Sequence, residues 1–116
     1  MLKQERQQLA ELLGGIAYVP ARLNPPAIVI MPGTPYVSPG TTFGYVTINW
    51  VASVIAGTAS NPVSTDALDD MIDDAIIKLT LNGYAYEVSD HKVYVANGAE
   101  YLAVDISITN EFKLGE

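Results

Sequence analysis

Between Ser64 and Thr109 the spacing of apolar positions changes from the period of a helix to that of a strand. Leu68, Met71, Ile72, Ala75, Ile76 and Leu79 recur at i, i+3 and i+4, which gathers them on one side of a helix. Asp66, Asp69, Asp70, Asp73 and Asp74 fill much of the other side and are weighted toward the N-terminal half, where the helix dipole favours negative charge. Ser64 is the expected N-cap, Asp74 can pair with Lys78 one turn on, and Asn82-Gly83 supply the stop. Short strands are predicted at Tyr84 to Val88 and at Lys92 to Ala96. The latter leads into Asn97-Gly98, a pair suited to a two-residue hairpin turn. The returning strand alternates Leu102, Val104, Ile106 and Ile108 against Tyr101, Ala103, Asp105, Ser107 and Thr109. Continuing through Phe112 and Leu114 would far exceed the usual length of about five or six residues, so the last residues are expected to project beyond the sheet.

The N-terminal half begins with Leu2, Leu9, Leu12 and Leu13 on one side of a short helix that Gly14-Gly15 terminate. Six of the seven prolines then fall between Pro20 and Pro39. Proline lacks the backbone donor that a central strand needs, so only Ala27 to Met31 reads as strand there, and Pro32 to Gly40 reads as an extended loop or arm, stiff enough to dock on a neighbour at low entropic cost. From Phe43 to Ala56 the pattern is again β. Val46, Ile48, Trp50, Ala52 and Val54 make one face, while Tyr45, Thr47, Asn49 and Ser53 take the other. Tyr45, Val51 and Ile55 leave that second face more apolar than solvent favours, which predicts a cover from outside the sheet, the chain's own arm being one candidate. The fold class expected is α+β: an N-terminal helix, a mixed or antiparallel sheet with one long amphipathic helix packed on it, and a proline-rich arm. One domain over 1–116 is expected, with the first helix in 1–15, the proline-rich strand and arm in 20–42, and the sheet and helix core in 43–114.

At 116 residues with 49% hydrophobic content, the chain can bury roughly two-thirds of its unfolded surface around one core. Thirteen acids against six bases give a net charge of −7, the wrong sign for gripping nucleic-acid phosphates. Cysteine is absent, so disulfides and thiolate metal sites are excluded, and the lone His91 offers no imidazole cluster. The charged N-terminus is followed by no apolar run of signal or membrane-spanning length, and the chain is expected to be made and used in a cytoplasm or in a particle assembled there.

Candidate chemistry is sparse. Carboxylates one turn apart, as on the acidic helix face, can share a cation, but such sites draw ligands from several elements, and acids opposite an apolar stripe are what a solvated helix face presents. Asp90 and His91 are adjacent and on a strand would point to opposite faces, and no nucleophile motif accompanies them. Gly33, Gly40 and Gly44 match no phosphate-binding loop. Seven tyrosines and Trp50 could stack nucleobases, but without a basic groove they read as half-buried strand residues. No catalytic residue, metal site or cofactor is therefore expected. An enzyme would need a constellation drawn from distant residues such as Glu87, Asp90 and Asp105.

Three stretches carry a resemblance: Tyr45-Val46-Thr47-Ile48-Asn49-Trp50-Val51-Ala52-Ser53-Val54-Ile55-Ala56-Gly57, Asp66-Ala67-Leu68-Asp69-Asp70-Met71-Ile72-Asp73-Asp74-Ala75-Ile76, and Tyr101-Leu102-Ala103-Val104-Asp105-Ile106-Ser107-Ile108-Thr109. With the leading helix, this order of elements resembles the tail terminator, or tail-to-head joining, proteins of long-tailed bacteriophages, particularly those infecting actinobacteria. The resemblance implies a virion structural protein without catalytic residues: a self-assembled ring, a hexamer, that caps the tail tube, ends its polymerisation and meets the head connector or neck proteins. Viral DNA would pass through without specific binding, and no membrane is involved. Pro35, Tyr36, Val37, Tyr45, Val51 and Ile55 are then expected at the subunit interface. The Asp69, Asp70, Asp73 and Asp74 face is expected to line the channel or meet solvent. A head-completion or neck adaptor protein fits the same features. A monomeric binding module, gripping a peptide with the arm and Trp50, is the alternative of a different class.

Overall fold

The computed structural model describes residues 2–18, 25–58, 62–96 and 98–114. In chain order the elements are α1 (Leu2–Leu13), β1 (Ala27–Pro39), β2 (Tyr45–Thr58), α2 (Pro62–Leu81), β3 (Ala85–Val88), β4 (Lys92–Ala96) and β5 (Ala99–Lys113). The strands form one antiparallel sheet in the order β1-β2-β5, with β3 and β4 both on the outer side of β5, β3 beside 106–109 and β4 beside 99–103. The fold is α+β, as the patterning predicts.

Both helices lie on one face of the sheet. Leu9, Ala10 and Leu13 of α1 and Leu68, Ala75 and Leu79 of α2 are buried against Ile28, Ile30, Ile48, Trp50, Ala52, Val54, Val104, Ile106 and Ile108. These strand residues alternate along β1, β2 and β5, and the antiparallel register sets them opposite one another, as in Trp50 with Ile108 and Ala52 with Ile106. A strand period of two and a helix stripe at three and four thus meet in one apolar layer.

Several boundaries differ from the sequence expectation. β1 continues through Pro32, Pro35 and Pro39, so the supposed arm is an edge strand, paired with β2 from Val37 opposite Ile48 to Pro39 opposite Val46. Proline is excluded from central strands, but an edge strand turns part of its backbone away from the ladder and tolerates it. The register breaks between Pro32 and Val37, where residues 33–36 face only Asn49 of β2. There Gly33 approaches so closely that a Cβ would lie 2.9 Å from the Asn49 Cβ and carbonyl oxygen. The Asn49 amide donates to the Pro35 carbonyl at 2.8 Å, which pins the irregular stretch to its partner.

Ser64 lies inside the first turn of α2, which opens at Pro62, and is buried rather than capping. A first-turn proline forfeits no intrahelical donor, which is why the helix can begin before the serine. At the other end of α2, Gly83 takes a φ of +76°, as the expected stop requires. β5 does not leave the sheet: it stays paired with β2 as far as Lys113 opposite Tyr45. Two strands of this length draw the molecule out to 48 × 28 × 21 Å. Gly98 has the positive φ of the predicted hairpin turn, while Asn97 lies outside the described residues, as do 20–24 of the proline-rich segment.

Candidate assembly surfaces

The six residues expected at a subunit interface do not form one surface. Ile55 is 0% exposed and must be corrected to a core residue: with Val29 and Ala103 it makes a small second cluster on the helix-free face, packed by Ala27, Met31, Tyr94 and Tyr101. The cover predicted over that part of β2 therefore exists, provided by Ala27, Val29 and Met31 of β1 and by Tyr94 and Tyr101 of β4 and β5. Tyr94 and Tyr101 are cross-strand partners, and the small Ala103 beside them leaves room for the rings.

Tyr36 is half-buried on the helix side, its ring 5.3 Å from that of Trp50 at an interplanar angle of 72°, an edge-on packing. Its hydroxyl accepts a 3.0 Å hydrogen bond from Arg6, whose guanidinium also lies over the Trp50 and Tyr18 rings at 5.6 and 5.3 Å. The bond to Tyr36 is the main reason the guanidinium holds its proton more firmly than usual. Trp50 itself is buried at the centre of this arrangement, where it cannot grip a peptide. Pro35 and Val37 are exposed on the edge strand, Tyr45 is half-buried beside the β1–β2 turn, and Val51 is half-buried on the helix-free face.

Asp69, Asp70, Asp73 and Asp74 are all exposed on the outer side of α2. The predicted Asp74–Lys78 pair forms at 2.9 Å with both side chains well exposed, so it contributes a fraction of a kcal/mol at most. Of the acids that an enzyme would have had to recruit, Asp105 is engaged in structure. One carboxylate oxygen accepts from the buried Ser53 hydroxyl at 2.7 Å and the other from the Lys92 ammonium at 2.8 Å, while its backbone exchanges bonds with Ser89. It ties β2, β4 and the β3–β4 link together. Glu87, Asp90 and His91 are exposed.

Described residues line two indentations of the surface. One, of about 440 Å³, lies between α1 and the end of α2 and is lined by Gln8, Glu11, Leu12, Asn82 and Tyr84. The other, about 150 Å³, sits between the Gly33–Thr34 kink and Asn49, Val51, Ser107 and Thr109. Neither pairs a nucleophile with a base. Among the described residues, no buried side-chain polar atom lacks a partner and no group of three or more potential metal ligands occurs.

The signal that sequence reasoning missed lies at the ends of the long axis. At one end the β1–β2 turn holds Phe43 fully exposed, with Leu114 beside it. At the other, Val93 and Val95 of β4 and Val63 at the start of α2 are exposed. The two sheet edges are also unlike. Along 28–30 the outer edge of β1 is closed by Ile16, which donates to Ile28 at 2.7 Å and accepts from Ile30 at 2.9 Å, and the rest of that strand carries prolines. No described strand covers the outer edge of β4, and it has no proline.

No protein-family model matches this chain, and no curated protein matches it. Among the described residues no helix is long and apolar enough to cross a membrane.

Proposed function

We propose that this chain is a structural assembly protein, a tail terminator of a long-tailed bacteriophage, that closes into a hexameric ring on the end of the tail tube and joins it to the neck. One observation carries the reading: an elongated subunit keeps exposed apolar side chains toward its opposite ends, Phe43 and Leu114 at one and Val93 and Val95 at the other. Dissimilar surfaces pair heterologously, and a heterologous contact whose repeated rotation completes a full turn closes into a ring, where any other rotation gives an open filament. The acidic outer face of α2 supports the rest. A wall that passes DNA without holding it must offer no array of cations to the phosphates, and Asp69, Asp70, Asp73 and Asp74 supply the opposite sign.

Gold-labelled antibody against the chain, applied to virions that encode it, is expected to mark the head–tail joint, and negative-stain images of the concentrated protein are expected to show six copies around a hole. Label elsewhere on the particle, or none, would falsify the assignment. Replacing the four aspartates by lysine is expected to leave rings intact while DNA ejection slows. Unchanged ejection would remove these residues from the channel wall.

A further inference from the structure

We infer that Asn82 is a modification site: its side-chain amide is lost to give aspartate and isoaspartate, and the fold holds the reaction back until the last turn of α2 opens. Asn82-Gly83 is one of two Asn-Gly pairs in the chain. A following residue without a Cβ is what lets the backbone close onto an asparagine side chain.

The reaction needs water alone. The Gly83 nitrogen attacks Cγ of Asn82 and gives up its proton, while the bond from Cγ to the amide nitrogen breaks and ammonia leaves. Water then opens the cyclic succinimide at either carbonyl, giving aspartate at one and an isoaspartyl linkage at the other. No oxidant, reductant or further side chain takes part, so the rate is set by how freely Gly83 and the Asn82 amide can meet.

Both reacting groups are occupied while the helix end is closed. Gly83, at a φ of +76°, donates its N–H to the Thr80 carbonyl at 3.2 Å, and Tyr84 N–H donates to the Leu79 carbonyl at 3.0 Å, the bond pair of a Schellman stop. The Asn82 side-chain nitrogen donates to the Lys78 carbonyl at 2.8 Å, which ties the leaving amide back along the helix. Leu79 and Tyr84 both pack into the main core and clamp the turn between them. Attack by Gly83 requires these bonds to be released. Asn82 is itself exposed, so water reaches it once they are. Helix ends open far more often than whole domains unfold.

Conversion alters the stop that delayed it. A carboxylate at position 82 has no donor for the Lys78 carbonyl and sets negative charge at the negative end of the α2 dipole. An isoaspartyl linkage lengthens the backbone by one carbon and breaks the spacing of the stop. The new charge also joins Glu11 on the wall of the cleft between the helices, beside Tyr84. The product therefore favours the open turn, and aged copies differ from new ones at this end of α2.

Trypsin cuts after Lys78 and Lys92, and the peptide 79–92 contains Asn82 as its sole asparagine, so mass spectrometry reads this site apart from Asn97-Gly98. During incubation of the full chain at mildly alkaline pH, deamidation at Asn82 is expected to run roughly tenfold or more slower than in the free 79–92 peptide. Guanidinium below the unfolding midpoint, with buried Trp50 fluorescence reporting that the core is intact, is expected to close much of that gap. Tyr84→Ala, which unclamps the stop, is expected to speed conversion in the same way, and the guanidinium series reads the same opening in the unaltered chain should that variant not fold. Asn82→Asp is expected to melt several degrees below the unaltered chain and below Asn82→Ala, which loses the bond without adding charge. Equal rates in chain and peptide, or no conversion in either, overturn the inference. A rate that rises only when Trp50 reports global unfolding overturns the gating by the last turn, and an Asn82→Asp melting temperature equal to that of the unaltered chain overturns the effect on the stop.

Discussion

At the scale of single residues, an acid that a catalytic constellation would have to recruit is committed to structure. Asp105 would serve an active site only if a carboxylate oxygen were available, but both oxygens are taken, by Ser53 and Lys92. Asp105→Ala would strand the buried Ser53 hydroxyl and free β4 from β2. The expected loss is about 1–3 kcal/mol of folding stability, read from the denaturant midpoint. A midpoint unmoved within error would show the network to be incidental. Tyr84, beside the larger indentation, has its hydroxyl pKa raised by burial and secondarily by the negative charge of Glu5. A tyrosine whose folded value lies above its unfolded one contributes stability in full below the unfolded value, about 10, and loses it as pH rises through the folded value. Stability is therefore expected to decline above about pH 10, and Tyr84→Phe should remove part of that slope. An identical alkaline profile in the variant would exclude Tyr84 as its source.

At the scale of elements, β1 shows how a local rule can hold while the conclusion drawn from it changes. Prolines do bar Pro32–Pro39 from a central position, yet the segment is a strand because it lies at the sheet edge and yields register between Pro32 and Val37. The yielding point depends on Gly33, where any side chain would meet the backbone of Asn49. Gly33→Ala is expected to lower stability by about 1–3 kcal/mol, the usual cost of overpacking, with the sheet otherwise retained by circular dichroism. Wild-type stability in that variant would mean that the kink relaxes freely. α2 behaves as its pattern requires, since the side that carries Leu68, Ala75 and Leu79 is the side that packs. Its acids face outward because burying an unpaired carboxylate costs far more than the helix could recover.

At the scale of the whole molecule, charge and shape act together. Copies carrying −7 repel one another, so their association should strengthen as salt screens that repulsion. Sedimentation velocity at rising sodium chloride is expected to show a larger share of assembled protein. A fall in that share would instead indicate that attraction between opposite charges dominates the contact. The elongation that separates the two apolar ends follows from β2 and β5 remaining paired along nearly their whole length.

Periodicity alone determined where the helices and the strands after α2 lie and which faces of β2 and β5 turn inward, though not how far β5 runs or where α2 begins, because burial of one stripe or one face is dictated by local spacing and needs no knowledge of what covers it. It also determined that the acids of α2 lie outside the core. Tertiary structure alone decided that Ile55 is core, since only the pairing of β1, β2, β5 and β4 sets Val29, Ala103, Tyr94 and Tyr101 about it. It likewise decided that the proline-rich segment pairs with its own β2, and that Phe43 and the β4 valines stand at opposite ends. Those are relations between residues far apart in sequence, and chain spacing carries no distance across a sheet until the register is fixed.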